Sequence, residues 1–152
     1  MIQRKQTIWL LLSLLAWAVL FYKPVFGFTA ENQGPWMLHA IGIKLMETGT
    51  TVIPAIPLLI LYALVDLLTL ASVFLYKYLA LQMRITLYTM ILQILTYALI
   101  GFYVFVGIRQ LDADPKILFF SIIPLIAFFF SLMAFRGIRT DFLLLKTFRR
   151  LR

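Results

Sequence analysis

Four apolar stretches, residues 8–22, 52–76, 85–106 and 117–135, leave so little polar sequence between them that no water-soluble fold is open to this chain. Over 152 residues, 63% are hydrophobic and 13% charged, with a mean hydropathy of +0.98. A protein this small has too little interior to hide that much apolar surface, so lipid must cover it. A hydrocarbon core is about 30 Å thick, and a helix rises about 1.5 Å per residue, so each stretch approaches or exceeds a crossing. Backbone groups in lipid must bond within their own segment, which predicts helices over about 7–26, 52–76, 85–106 and 117–135. The runs are too long and too uniform for the alternating strands of an outer-membrane barrel. The first is the weakest, because Lys5 and Lys23 flank it. It reaches full thickness only if Lys23 snorkels and the helix continues toward Phe26 or Phe28.

The cations orient the spans. Arg4, Lys5, Lys77, Arg84, Arg136, Arg139, Lys146, Arg149, Arg150 and Arg152 fall at the two ends and in the loop between spans two and three. Only Lys23, Lys44, Arg109 and Lys116 occupy the other two loops, where Glu31, Glu47, Asp112 and Asp114 balance them. Ten against four across short loops predicts both termini on the cytoplasmic side. The net charge of +8 needs no nucleic-acid partner, since the excess sits beside membrane spans. A competing expectation treats the first span as a signal peptide, with Arg4 and Lys5 as its basic region and Val25-Phe26-Gly27 as a weak cleavage site. Lys23-Pro24 interrupts the approach to that site, and no A-x-A pattern is present, which favours the uncleaved span.

Several chemistries are excluded by what the chain lacks. With no cysteine, thiol–disulfide catalysis, structural disulfides and thiolate metal sites are impossible. One histidine, His39, cannot supply paired ligands to a haem or a His-rich zinc site, and no cofactor is expected. No Ser/His/Asp, Cys/His or phosphate-loop constellation is present either, so the chain does not read as an enzyme.

The first extracytoplasmic loop, residues 23–51, contains two turn signals, Asn32-Gln33-Gly34-Pro35 and Glu47-Thr48-Gly49. Between them Ile41, Ile43 and Leu45 alternate with smaller or polar residues, which suits a strand paired with residues 50–53. Leu38, Ile41 and Leu45 equally suit one face of an amphipathic helix on the bilayer. Trp36 is expected to be an interfacial anchor.

Within the spans Asp66 is the costliest residue, since a mid-membrane carboxyl carries a penalty of about 2.5 to 3.5 kcal/mol. It is expected to face the bundle interior, paired or protonated. Antiparallel pairing of spans two and three about Ala80 and Leu81 places Asp66 level with about Leu95, close to Gln93, Thr96 and Tyr97. Thr86, Thr89, Gln93 and Thr96 recur at helical spacing, and Tyr62, Asp66 and Thr69 form a matching stripe. The stripes read either as interhelical hydrogen bonding or as a proton- or cation-binding site. Pro54 and Pro57 read as start signals for span two, Pro124 as a kink inside span four, and Gly101 and Gly107 as places of close helix approach. After span four, residues 136–152 predict a basic amphipathic helix on the cytoplasmic surface. Its Arg136, Arg139, Lys146 and Arg150 would face anionic headgroups.

Met1-Ile2-Gln3-Arg4, Leu75-Tyr76-Lys77 with Leu81-Gln82-Met83-Arg84, and Ala134-Phe135-Arg136-Gly137-Ile138-Arg139-Thr140-Asp141 resemble an uncharacterised family of four-span inner-membrane proteins of Bacteroidetes-type bacteria. The resemblance implies a multi-pass bacterial inner-membrane location and transfers no activity. The expectation is therefore an all-α, four-span bundle acting as a non-enzymatic accessory or scaffold for other membrane proteins, or as a homo-oligomer. The alternative is a small proton- or cation-coupled transporter built around Asp66.

Overall fold

The computed structural model describes residues 3–30 and 33–150, and the side chains of residues 6–29 and 34–147. Among the described residues are four α-helices, α1 (Gln3–Leu20), α2 (Ile56–Phe74), α3 (Leu79–Leu111) and α4 (Ile123–Arg150). Also present are five strands, β1 (Phe26–Ala30), β2 (Gln33–His39), β3 (Gly42–Leu45), β4 (Thr51–Pro54) and β5 (Asp114–Ile117). The all-α expectation is thus corrected: the fold is mostly helical with one five-stranded antiparallel sheet, in the order β4-β3-β2-β1-β5.

Three helical segments, Ile56–Lys77, Leu79–Leu111 and Phe119–Thr147, are long and apolar enough to cross a membrane, whereas Gln6–Leu20 is a shorter apolar helix. The first helix stops at Leu20 instead of continuing toward Phe26 or Phe28. Pro24 lacks an N–H and disfavours helical backbone at Lys23, so the chain turns there and enters β1. Pro57 sits in the first turn of α2, as expected of a start signal, while Pro54 closes β4. Pro124 does not kink a helix, because it is the second residue of α4, where no intrahelical donor is lost. A short 3-10 turn, Leu75–Lys77, reverses the chain between α2 and α3.

The helices pack as neighbours in chain order, with α1 closing the ring against α4 in its most extensive pairing. Each buries a stripe at helical spacing: Gln6, Leu10, Ser13, Trp17 and Leu20 on α1, and Leu58, Tyr62, Val65, Thr69 and Ser72 on α2. The facing stripe of α4, Ala127, Ser131, Ala134 and Ile138, is mostly small, which lets α1 approach closely. Gly137 belongs to the same contact, since a Cβ there would lie 2.8 Å from Gln6 Cγ.

The sheet sits at the end of the bundle where α1 and α3 finish and α2 and α4 begin. Alternation puts Phe28, Trp36, Leu38 and Ile43 on its inner face, buried against the helices. Full burial of such side chains is worth about 1.5–3 kcal/mol each relative to water. Trp36, expected as an interfacial anchor, is only 7% exposed and belongs to this core. The open choice for residues 36–46 resolves as strand: β2 and β3 pair Leu38 with Ile43, and β3 pairs with β4 as the alternation allowed. Gly42 follows the tight turn between β2 and β3 with φ +152°, and a Cβ there would meet the Ile53 carbonyl oxygen. The second loop supplies β5, which pairs Phe26 with Ile117 and Phe28 with Pro115. Asp112 ends α3 in the left-handed region, at φ 47°, a conformation its short polar side chain tolerates. Ser121 Oγ donates to the Val25 carbonyl, joining the 3-10 turn Phe119–Ile122 before α4 to the residue before β1.

Helix α3 outruns its neighbours. Ser72 of α2 meets Thr86 of α3, so the outer turns of α3 stand beyond the first residue of α2 and are wrapped by the sheet. A Cβ at Gly107 would lie 2.7 Å from Phe28 Cζ and 3.0 Å from Ile43 Cδ1. Gly107 therefore serves close approach by the sheet, not by a helix, and nothing lies within 4 Å of a Cβ at Gly101.

On the outer face of the sheet His39 lies diagonally opposite Lys44 across β2 and β3. Burial first and the Lys44 charge second push its pKa below 6.5. The unfolded chain then binds more protons than the native one between the native pKa and 6.5, so stability rises with pH across that window and falls on acidification. The expected NMR titration midpoint of His39 lies below 6.5, and Lys44→Ala moves it part of the way back. A midpoint unmoved by that substitution would refute the charge contribution.

Candidate functional site

Among the described residues, polar side chains inside the helical layer bridge helices at these levels. At the end opposite the sheet, Gln6 Nε2 donates to Asp141 Oδ2 at 2.6 Å, joining α1 to α4. Near the α2–α3 turn, Ser72 Oγ and Thr86 Oγ1 lie 2.7 Å apart, and Gln82 Nε2 donates to the Ser72 carbonyl at 2.9 Å. Midway along the bundle, Ser13 of α1, Gln93 of α3 and Ser131 of α4 meet, all at most 2% exposed.

The protons of this central node are fixed by what each atom can do. Ser13 Oγ donates to the Ala127 carbonyl at 3.1 Å, which uses its only proton. Its 2.8 Å contact with Ser131 Oγ must then be a bond donated by Ser131. Both hydroxyl protons are spent, so Gln93 Nε2 donates to Ser131 Oγ at 3.0 Å and to Ser13 Oγ at 3.3 Å. The amide orientation follows from this chain of donors. Gln93 Oε1 is left buried without a protein partner.

Asp66 sits one position off the buried stripe of α2 and is half-buried. The Ser72–Thr86 contact sets it level with about Leu92, close to the expected depth. Depth did not bring it to its expected partners. Gln93 turns to Ser13 and Ser131, and Thr96 Oγ1 donates to the Leu92 carbonyl of its own helix at 2.7 Å. No hydrogen bond or ion pair joins Asp66 to Gln93, Thr96 or Tyr97, and Asp66 Oδ1 is buried without a partner. Thr69 likewise bonds the Val65 carbonyl, and Thr89 the Ile85 carbonyl. One turn from Asp66 toward the sheet, the Tyr62 ring meets Trp17 edge-on with centroids 5.2 Å apart and Phe21 at 5.9 Å. Tyr62 Oη and Trp17 Nε1 also lack partners.

A cleft of about 140 Å³ separates α3 from α4 and is lined by Gln93, Ile94, Tyr97, Pro124, Leu125 and Phe128. Gln93 and Pro124 are its buried wall, while Ile94, Tyr97 and Leu125 form an exposed rim.

The basic tail continues α4 without a break from Ile123 to Arg150, so no separate helix begins at residue 136. Arg136, Arg139 and Lys146 are exposed, as are Leu143, Leu144 and Leu145, while the side chain of Arg150 lies outside the described residues. Ile138 and Asp141 of the expected amphipathic helix are instead buried beside α1.

Sequence spacing singled out Gln93, Thr96 and Asp66 but missed Ser13, Ser131, Gln6, Asp141, Ser72 and Gln82. The available signal was that Ser13 and Ser131 are polar residues inside apolar helices. Such residues turn inward in a membrane protein because lipid offers no partner. Among the described residues no group of three or more His, Asp or Glu is placed to hold a metal ion.

Compared with known proteins, residues 2–151 match the family described as Domain of unknown function (DUF4293). No curated protein and no solved structure matches the chain.

Proposed function

Because the chain belongs to the family described as Domain of unknown function (DUF4293), we propose its role from its own geometry: a four-span bacterial inner-membrane protein, both ends cytoplasmic, acting as a non-enzymatic accessory or scaffold for other membrane components. The observation that carries this reading is the union of both extracytoplasmic loops in one sheet docked on α3. A bare anchor has no need of a sheet, and a folded outer cap on closely paired helices suits a protein that presents a surface.

Two features support the topology. The short helix α1 runs the depth of its partners, from Gln6 beside Asp141 at one end to Trp17 and Phe21 beside Tyr62 at the other. An exposed tyrosine sits at each level: Tyr22 at 83% near the sheet and Tyr78 at 69% at the opposite turn. Tyrosine favours membrane–water interfaces, which supports a crossing between these two levels.

The second reading is a small proton- or cation-coupled transporter, supported by the unpartnered Asp66. Gentle affinity purification from native membranes, paired with solute flux in reconstituted vesicles, separates the two. The scaffold reading expects stable co-purifying membrane proteins and no flux. A pH-dependent flux abolished by Asp66→Asn, in a protein whose helical content and melting are unchanged, overturns it.

A further inference from the structure

We propose that the outward stripe of α4 holds the phosphate headgroup of an anionic phospholipid on Arg136 and Arg139, with Lys146 about 10 Å further along the helix. The site requires that the helices cross a bilayer, as proposed above, but not that either face be cytoplasmic.

Charge points to an anion. Arg136, Arg139 and Lys146 are exposed. At about 100° per residue they fall within about 80° of one another, on the side of α4 away from buried Ala127, Ser131, Ala134 and Ile138. Lys77 and Arg84 are exposed at the same end of the bundle. Of the carboxylates with described side chains only Asp141 lies there, and it is 9% exposed and bonded to Gln6. Asp66 is midway, and Glu47, Asp112 and Asp114 belong to the sheet end. Depth points to a lipid. Ala134 and Ile138 share a buried cluster with Leu79, the first residue of α3. Arg136 is therefore level with the α2–α3 turn and its exposed Tyr78, not beyond them. Tyrosine favours the headgroup level, so guanidinium groups here meet lipid phosphates. Toward the sheet the same stripe continues as Leu125, Phe129 and Leu132, wholly apolar over about 16 Å, or half of a hydrocarbon core. A cationic end and an apolar length match a phospholipid lying along the helix, and a soluble anion has no use for the second. Rigidity gives the site its geometry. The helix runs unbroken to Arg150, and the 2.6 Å bond from Gln6 to Asp141 pins it to α1 past both arginines. Residues three apart are neighbours on a helix, and a guanidinium fork matches phosphate oxygens.

Native mass spectrometry of the full-length protein in a neutral detergent tests this. The protein is titrated separately with dioleoylphosphatidylglycerol and with dioleoylphosphatidylcholine, which carries the same phosphate and chains but no net charge. The first phosphatidylglycerol is expected to bind about 25-fold more tightly than phosphatidylcholine, about five-fold for each arginine, the factor of about 1 kcal/mol per cation. Arg136→Gln combined with Arg139→Gln should bring phosphatidylglycerol down to the phosphatidylcholine level. Lys77→Gln combined with Arg84→Gln removes the same charge from the same end but off the stripe, and should keep most of the preference. Equal binding of the two lipids, or equal losses from the two paired variants, overturns the proposal. So does full displacement of the lipid by free glycerol phosphate, which would assign the stripe to a soluble anion. If a paired variant fails to fold, the lipid ratio of the parent and the glycerol phosphate competition still decide it. A chain that stays in solution without detergent would refute the membrane reading along with the site, whereas the lipid comparisons refute the site alone.

Discussion

Gly107→Leu is expected to loosen the sheet from α3. The position where its Cβ must go is already occupied by the Phe28 ring and Ile43 Cδ1, 2.7 and 3.0 Å away. Both side chains are fully buried and held in register by pairing on either side, so neither can swing clear. Overpacking of a dense core costs about 1–3 kcal/mol, and re-exposing Phe28 and Ile43 to water costs about 1.5–3 kcal/mol each. Staying docked is the cheaper of the two, so the docking is weakened by about 1–3 kcal/mol and the sheet opens about 5- to 150-fold more often on an intact set of helices. Limited proteolysis should cut residues 26–54 in the variant under conditions that spare the parent, while far-UV circular dichroism keeps its helical signal. Gly101→Leu is the control, since nothing lies within 4 Å of its Cβ, and it should change stability by no more than about 0.5 kcal/mol. Equal resistance in Gly107→Leu would mean that the sheet does not rest on α3.

Ser131→Leu is expected to be the most damaging single change within the helical layer. Ser131 is 1% exposed on the small-residue stripe that meets α1, so three added carbons force α1 and α4 apart at about 1–3 kcal/mol. The same change removes one hydrogen-bond partner from each of Ser13 and Gln93; Ser13 keeps the Ala127 carbonyl and Gln93 keeps Ser13, so one buried amide proton of Gln93 is left unpaired at about 1–3 kcal/mol more. Ser131→Ala tests the two parts separately, because it keeps the close approach and loses only the bonds. It should cost about 1 kcal/mol, in line with polar contacts between membrane helices. Unfolding in mixed micelles, followed by circular dichroism, reads both variants. If Ser131→Leu matches Ser131→Ala, close packing of α1 on α4 is not what holds that interface.

How much was legible can be argued residue by residue. The threonine stripe of α3 was visible because 3.6-residue spacing is a local property, and Thr86, Thr89, Gln93 and Thr96 are indeed buried. Their partners were not visible. A threonine in a helix can satisfy itself on the carbonyl one turn back, as Thr89 and Thr96 do. A glutamine at the same face reaches whichever helix lies across from it, and that depends on how all the helices pack. Asp66 and Gln93 share a depth yet not a partner, because depth follows from counting along two helices whereas azimuth follows from the packing of all four. The β3–β4 hairpin was foreshadowed by alternation in residues 41–45, but β5 carried no signal at all. It is four residues long, contains Pro115 and is exposed throughout, so only its pairing with β1 makes it a strand.

By itself, the sequence determined that long apolar helices form: runs of apolar residues this long are compatible with a membrane, where the hydrogen-bonding demand of the backbone favours helices. It also placed the start of α2 at Pro57, whereas the first helix, expected to run to about residue 26, stops at Leu20. What only the tertiary structure decided is non-local. The distant loops at residues 21–55 and 112–122 join in one sheet, a glycine in α3 becomes the seat of that sheet, and two serines more than a hundred residues apart orient one glutamine. Strand pairing and buried hydrogen bonds depend on which groups come within about 3 Å of each other in space, and no pattern along the chain records that distance.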